Sequence, residues 1–161
     1  MVRYLILSLG LLFLGCEIHS QQIIKPEKLD FSQIKFDAVT KKLIDESSVD
    51  VKEADEMKKI INYWFDSKIK TDGFDGNLNV YLKDIVINKV RNDEYFKFEI
   101  DVFINFEVLS DGLNQKKTFN IRSSEFGQIN GNFSIDDQEN LTLNVMYKVI
   151  NSITKKLKDL N

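Results

Sequence analysis

The chain has 161 residues, 25 acidic against 22 basic, with twelve phenylalanines, seven glycines, one proline, and single copies of cysteine, histidine and tryptophan. A formal charge of −3, with no basic stretch beyond short lysine pairs, excludes a nucleic-acid footprint, and the scarcity of proline and glycine excludes a low-complexity chain. One histidine and one cysteine supply neither a nucleophile–base pair nor a typical zinc site, so the expectation is a non-enzyme without a cofactor or metal.

Residues 1–15 carry Arg3, then an apolar run from Tyr4 to Leu14, then Gly15. The run is about half the ~20 residues that cross a bilayer, and it matches the basic, apolar and small-residue order of an export signal. With Cys16 directly after Gly15, the segment resembles a bacterial lipobox, with Phe13 where that family usually has leucine. Ordinary secretion, an uncleaved anchor and a core helix are the other readings of the same residues. The resemblance implies a lipoprotein signal peptide over 1–15 and acyl chains, palmitate among them, on Cys16. The protein would then be anchored to a membrane without spanning it. Glu17 is not the Asp of an inner-membrane retention signal, which points to an outer-membrane anchor facing the periplasm. With Cys16 acylated, no thiol is left for a disulfide.

Residues 16–28 are polar, contain Pro26 and lack periodicity, so they read as a lipidated tether in which His19 is a solvated linker residue. Residues 29–161 form one domain. Over Leu29–Ile44, Ile34, Phe36 and Ala38 alternate with Lys35 and Asp37, the pattern of a strand. Met57, Ile60, Ile61, Trp64, Phe65 and Ile69 recur at helical spacing, with Ser48 or Asp50 as cap and Gly73 as a left-handed stop. Two strands follow. Leu78, Val80, Leu82, Val86 and Val90 share one face of the first, and Phe96 to Val108 on alternate positions share one face of the second. Asn92-Asp93 makes the turn between them and Ser110 to Gly112 the next. A third strand covers Lys116–Glu125. A last helix runs from about Asp136 to Leu160, with Leu141, Val145, Val149, Ile153, Leu157 and Leu160 as its buried stripe. The expected fold is α+β, in the order β-α-β-β-β-α, with an antiparallel-rich four-stranded sheet and both helices on one face.

Chemistry-bearing patterns are sparse. The pairs Asp72/Asp75, Asp45/Glu46 and Asp136/Asp137 sit at turns and helix ends, where carboxylates serve as caps. Asp72 to Gly76 lacks the ligand series and closing Glu of a calcium loop, and Gly127 to Asn132 lacks phosphate-loop spacing. Trp64 lies within an apolar stripe and reads as core. The surface that stands out is the far side of the sheet. Tyr81, Ile85, Ile87 and Phe103 fall opposite the main apolar rows, as a partner or lipid contact would. A bulge near Asp84 that turns Ile85 and Ile87 inward explains the same pattern.

Two runs, Ile60 to Trp64 and Gly73 to Asp84, resemble a group of uncharacterised proteobacterial lipoproteins. The element order is more distantly similar to auxiliary lipoproteins of ABC-type lipid transporters and to the small lipoprotein that plugs the lipopolysaccharide translocon. The resemblance implies a non-catalytic accessory in envelope lipid transport or assembly, with the membrane and an envelope protein or a second copy as partners. The rival expectation is a small ligand-binding or structural envelope lipoprotein.

Overall fold

The computed structural model describes residues 27–30, 32–110, 112 and 115–160. They form β1 (Ile34–Phe36), β2 (Thr40–Asp45), α1 (Lys52–Lys68), β3 (Ile69–Thr71), β4 (Asn77–Arg91), β5 (Tyr95–Ser110), β6 (Gln115–Asn130) and α2 (Ile135–Leu160). The expected signal peptide over 1–15, Cys16 and His19 lie outside the described residues.

The expected first strand is broken in two. Ile34, Phe36 and Ala38 are buried as their alternation predicts, but the chain bends at Asp37–Val39. A matching bend at Asp72–Gly76 breaks the strand beside it. The pair therefore runs parallel in two pieces, β1 with β3 and then β2 with β4. The two bends are bonded to each other: Gly73 N–H donates to Ala38 O at 3.1 Å and Val39 N–H to Gly76 O at 3.0 Å. Gly73 does not end the helix as expected. It is needed for close approach, because a Cβ there would stand 2.5 Å from the Ala38 nitrogen. With the two bends counted as interruptions of single strands, the order is the expected β-α-β-β-β-α. The main sheet runs β2-β4-β5-β6, antiparallel except for β2 with β4.

Helix α1 starts without the side-chain cap expected from Ser48 or Asp50: Val51 occupies the cap position in an extended conformation. Glu53 and Asp55 in the first turn complement the helix dipole instead. At the other end Lys41 of β2 supplies what a glycine stop would have supplied. Its Nζ donates to the carbonyls of Phe65 at 2.9 Å and Ile69 at 2.7 Å, and lies over the Phe65 ring. Burial of this ammonium, with Lys70 nearby, holds its pKa below the ordinary lysine value. Helix α2 opens on a reciprocal cap: Ser134 Oγ accepts from Asp137 N–H at 3.1 Å, and Asp137 Oδ2 accepts from Ser134 N–H at 2.8 Å.

Both helices cover the row of β5 that carries Phe96, Phe98, Ile100, Val102, Ile104 and Phe106, all buried. Trp64 of α1 is 1% exposed. Its indole N–H donates to Thr154 Oγ1 of α2 at 2.9 Å, and its ring meets Phe106 edge-on at 6.4 Å. The tryptophan thus ties α1, α2 and the sheet together at one point. β6 extends to Asn130, past the expected end at Glu125, because Gly127 lets α2 lie close: a Cβ there would meet Leu141 at 2.7 Å. At the far end of α2, Leu160 is exposed rather than part of the stripe.

Candidate functional site

A one-residue irregularity in β4 decides the composition of the far sheet face. Leu82 lies opposite Ile104 of β5, and the next pair is Asp84 with Phe103, so Lys83 is an extra residue. A strand alternates its side chains with period two, so one extra residue exchanges the faces of all that follow. Ile85 and Ile87 accordingly face the helices, Ile85 fully buried and Ile87 packed against the core. Val86 and Val90, expected on the buried row, are turned out and stand 49% and 37% exposed. Of the four residues assigned to a partner surface, Tyr81 and Phe103 remain on the open face, both half-buried, and Ile85 and Ile87 do not.

Around Tyr81 and Phe103 the open face is mixed. Register places Ile44 of β2 beside Tyr81, and the Lys83 ammonium lies 4.8 Å from the Tyr81 ring centre. Asn105 donates to Asn120 at 2.8 Å. Arg122, opposite Phe103, holds Asp101 through Nε at 2.8 Å and a second nitrogen at 2.6 Å. That carboxylate, hydrogen-bonded and close by, raises the Arg122 pKa. The other Asp101 oxygen, Oδ1, is buried without a hydrogen-bond partner. The face offers aromatic contact area and fixed charges.

A second feature is a groove of about 260 Å³ where the N-terminal ends of α1 and α2 converge over the β4–β5 hairpin. Phe96, Ile135, Thr142 and Leu143 line it between the ionic residues Lys52, Glu53, Lys89 and Arg91. Lys89 donates to Glu53 at 2.5 Å, and this bond, ahead of burial, sets the Glu53 pKa below the usual carboxylate range. Sequence reasoning missed the groove, because its walls come from segments up to 91 residues apart and no local pattern marks them.

The start of the described chain is fastened to α2. Residues assigned to the tether, Glu27 and Lys28, are already bonded there: Asn144 Oδ1 accepts from Glu27 N–H at 2.8 Å, and Asn151 Nδ2 donates to Lys28 O at 2.8 Å. Asn151 Oδ1 also accepts from Asp30 N–H at 2.8 Å. Lys158 donates to Asp30, which, with two further bonds from Ser32, lowers the Asp30 pKa to about 2. Traced backwards from Asp30 to Glu27, the strap runs toward the N-terminal end of α2. Sequence pattern could not reveal it, since asparagines spaced seven apart on a helix look like ordinary solvated residues.

Among the described residues no three His, Cys, Asp or Glu side chains converge on a metal position, and no helix is long and apolar enough to cross a membrane. No protein-family model matches the chain, and no curated protein matches it. Several solved structures are weakly similar. One is a Caulobacter crescentus CB15 protein described as a lipoprotein (8% identity, 73% of this chain and 86% of that one, TM-score 0.39). Another is a minor lipoprotein of Acinetobacter baumannii (10% identity, 82% and 91%, TM-score 0.36). A third is a lipoprotein of Neisseria meningitidis (7% identity, 80% and 99%, TM-score 0.36). Likeness of this degree sets neither family nor function.

Proposed function

We propose that the protein is a bacterial envelope lipoprotein, held by acyl chains on Cys16 at the periplasmic side of the outer membrane, and that it works as a non-catalytic binding component in envelope lipid transport or assembly. The observation that carries this reading is the order Arg3, apolar run, Gly15, Cys16, followed by polar residues and then a domain strapped to its own C-terminal helix from Glu27 onward. Two or more acyl chains hold a protein firmly, at about 0.8 kcal/mol per buried methylene, whereas one holds it only marginally. Between Cys16 and Glu27 there are ten residues, so the two Cα atoms stand at most about 40 Å apart. The domain therefore works within that distance of the bilayer. The single histidine and single cysteine both lie in the N-terminal segment, which supports binding rather than nucleophilic chemistry as the task of the domain.

A second reading, a small ligand-binding envelope lipoprotein, rests on the groove between the two helix N-termini. Its apolar floor and ionic rim have the layout of a small-molecule site, although 260 Å³ is below the usual range.

Cys16→Ser is the direct test of the anchor. It should move the protein from the membrane to the soluble periplasmic fraction and abolish labelling by a palmitate analogue. Unchanged membrane retention would refute the anchor. Crosslinking and copurification from membranes tests the role: enrichment of an envelope transport component over an unrelated lipid-anchored control is expected, and its absence refutes the accessory reading.

A further inference from the structure

β4 is fifteen residues long, but β2 covers only Asn77–Leu82, and the ladder closes where Glu46 N–H donates to Leu82 O at 2.9 Å. From Asp84 to Arg91, among the described residues, the strand pairs with β5 on one side only. Alternate N–H and C=O groups along those eight residues therefore point out of an open sheet edge. The opposite edge, β6, is guarded. It carries Lys116, Lys117, Arg122 and Glu125, and Lys156 of α2 caps the Arg122 carbonyl at 2.6 Å. The β4 half-edge carries Asp84, Lys89 and Arg91, but a slot of about 420 Å³ runs along it, with Val49, Val51 and Glu53 on one wall and Asp84, Val86, Ile87 and Lys89 on the other.

We propose that this half-edge pairs with the same segment of a second copy, antiparallel about a two-fold axis at Asn88, joining two four-stranded sheets into one of eight. Three observations select a second copy. The first is length. The open edge is bounded by the end of β2 opposite Leu82 and by the turn after Arg91, so residues 85–91 of one copy, centred on Asn88, fit between the same two stops on the other. The second is facing. A two-fold axis normal to the sheet keeps each side chain on its own face, so Val86 meets Val90 of the other copy twice, on the open side. These two valines are the ones the bulge turns out to solvent. The third is charge. On the helix side the second copy's Arg91 would lie opposite Ile85, the next place along the row from Asp45 at the end of β2. Among the described residues Arg91 has no ion pair, and the Asp45 carboxylate, which Lys58 holds at 3.1 Å, keeps 44% of its surface exposed. An unrelated extended peptide would satisfy the backbone but explain neither the valine pairing nor the two matching ends.

The test is disulfide trapping in the full-length chain, in membranes. In antiparallel pairing the two Asn88 Cα atoms stand about 4.5–5.5 Å apart, within disulfide reach. Asn88→Cys should give a dimer on a non-reducing gel that collapses on reduction, while wild type and Ser124→Cys on the β6 edge should not. Adding Val86→Lys to Asn88→Cys should lower the dimer yield at least about tenfold, the equivalent of 1.4 kcal/mol. Val86 is exposed in the monomer, and an unchanged far-UV circular dichroism spectrum will show that the variant folds. The proposal is overturned if Asn88→Cys stays monomeric or links to a different protein. It is also overturned if Ser124→Cys links equally well, or if Val86→Lys leaves the yield unchanged. Cys16 is the one other thiol in the chain: if it is not acylated the wild type links through it, which counts against the anchor, and the dimer of Asn88→Cys in excess over wild type still reads this pairing.

Discussion

The Trp64–Thr154 bond allows the packing to be tested through one pair of atoms. Thr154 is fully buried, and its hydroxyl accepts from the Trp64 indole at 2.9 Å while donating to Ile150 O at 2.8 Å. Thr154→Val keeps the shape but leaves a buried indole N–H without an acceptor, a cost of about 1–3 kcal/mol. Trp64→Phe loses that hydrogen bond, about 1 kcal/mol, and opens a void on the order of 40 Å³, worth about another 1 kcal/mol at 24 cal/mol per Å³. With the transfer free energy of the lost atoms, the expected total is about 2–3 kcal/mol. In the Trp64→Phe background no indole remains to be orphaned, so adding Thr154→Val should cost less than about 0.5 kcal/mol. The two substitutions should therefore couple by about 1–2 kcal/mol in a double-mutant cycle. Urea unfolding of all four proteins, followed by far-UV circular dichroism, measures it. If Thr154→Val costs the same in both backgrounds, within about 0.3 kcal/mol, the bond contributes nothing to stability and the reasoning fails.

Two further outcomes follow from the register and the strap. Ile85→Asp, at a fully buried position, should unfold the domain or cost more than about 4 kcal/mol, while Val86→Asp should stay within about 0.5 kcal/mol. The reverse order in thermal melts would place the bulge elsewhere. Asp30, with its folded pKa lowered to about 2, contributes stability that is present above the ordinary carboxylate pKa and is lost as pH falls from about 4 toward 2. Because the carboxylate is 39% exposed, solvent screening limits the effect to about 1 kcal/mol or less. Asp30→Asn should thus lower the urea midpoint at pH 6 but not at pH 2, and an equal gap at both would show that the strap's stabilisation is not ionic.

Much of the fold was legible because its elements are long and strictly periodic. The β5 row from Phe96 to Phe106 and the α2 stripe from Leu141 to Leu157 are buried as their spacing predicts. The errors lie where a non-local contact overrode a local pattern. Lys41, not a glycine, caps α1, because strand β2 carries an ammonium to the carbonyls of Phe65 and Ile69. The surplus residue at Lys83 is the bulge that the sequence offered near Asp84 as one of two readings: it turns Ile85 and Ile87 inward, as that reading expects, and turns Val86 and Val90, expected inside, out to an edge.

The proposed N-terminal signal and the role proposed for Cys16 rest on sequence alone, since export and acylation signals are read from a short linear segment before any fold exists. The fold class was likewise determined by sequence, through the period of its apolar residues. Tertiary structure alone decided which way the register at Lys83 turns the apolar residues, that Asn144 and Asn151 fasten residues 27–30, and that, among the described residues, half of β4 pairs on one side only. Those features depend on register and on where a neighbouring strand stops. Both are set by contacts between segments tens of residues apart, and no local pattern of residues encodes them.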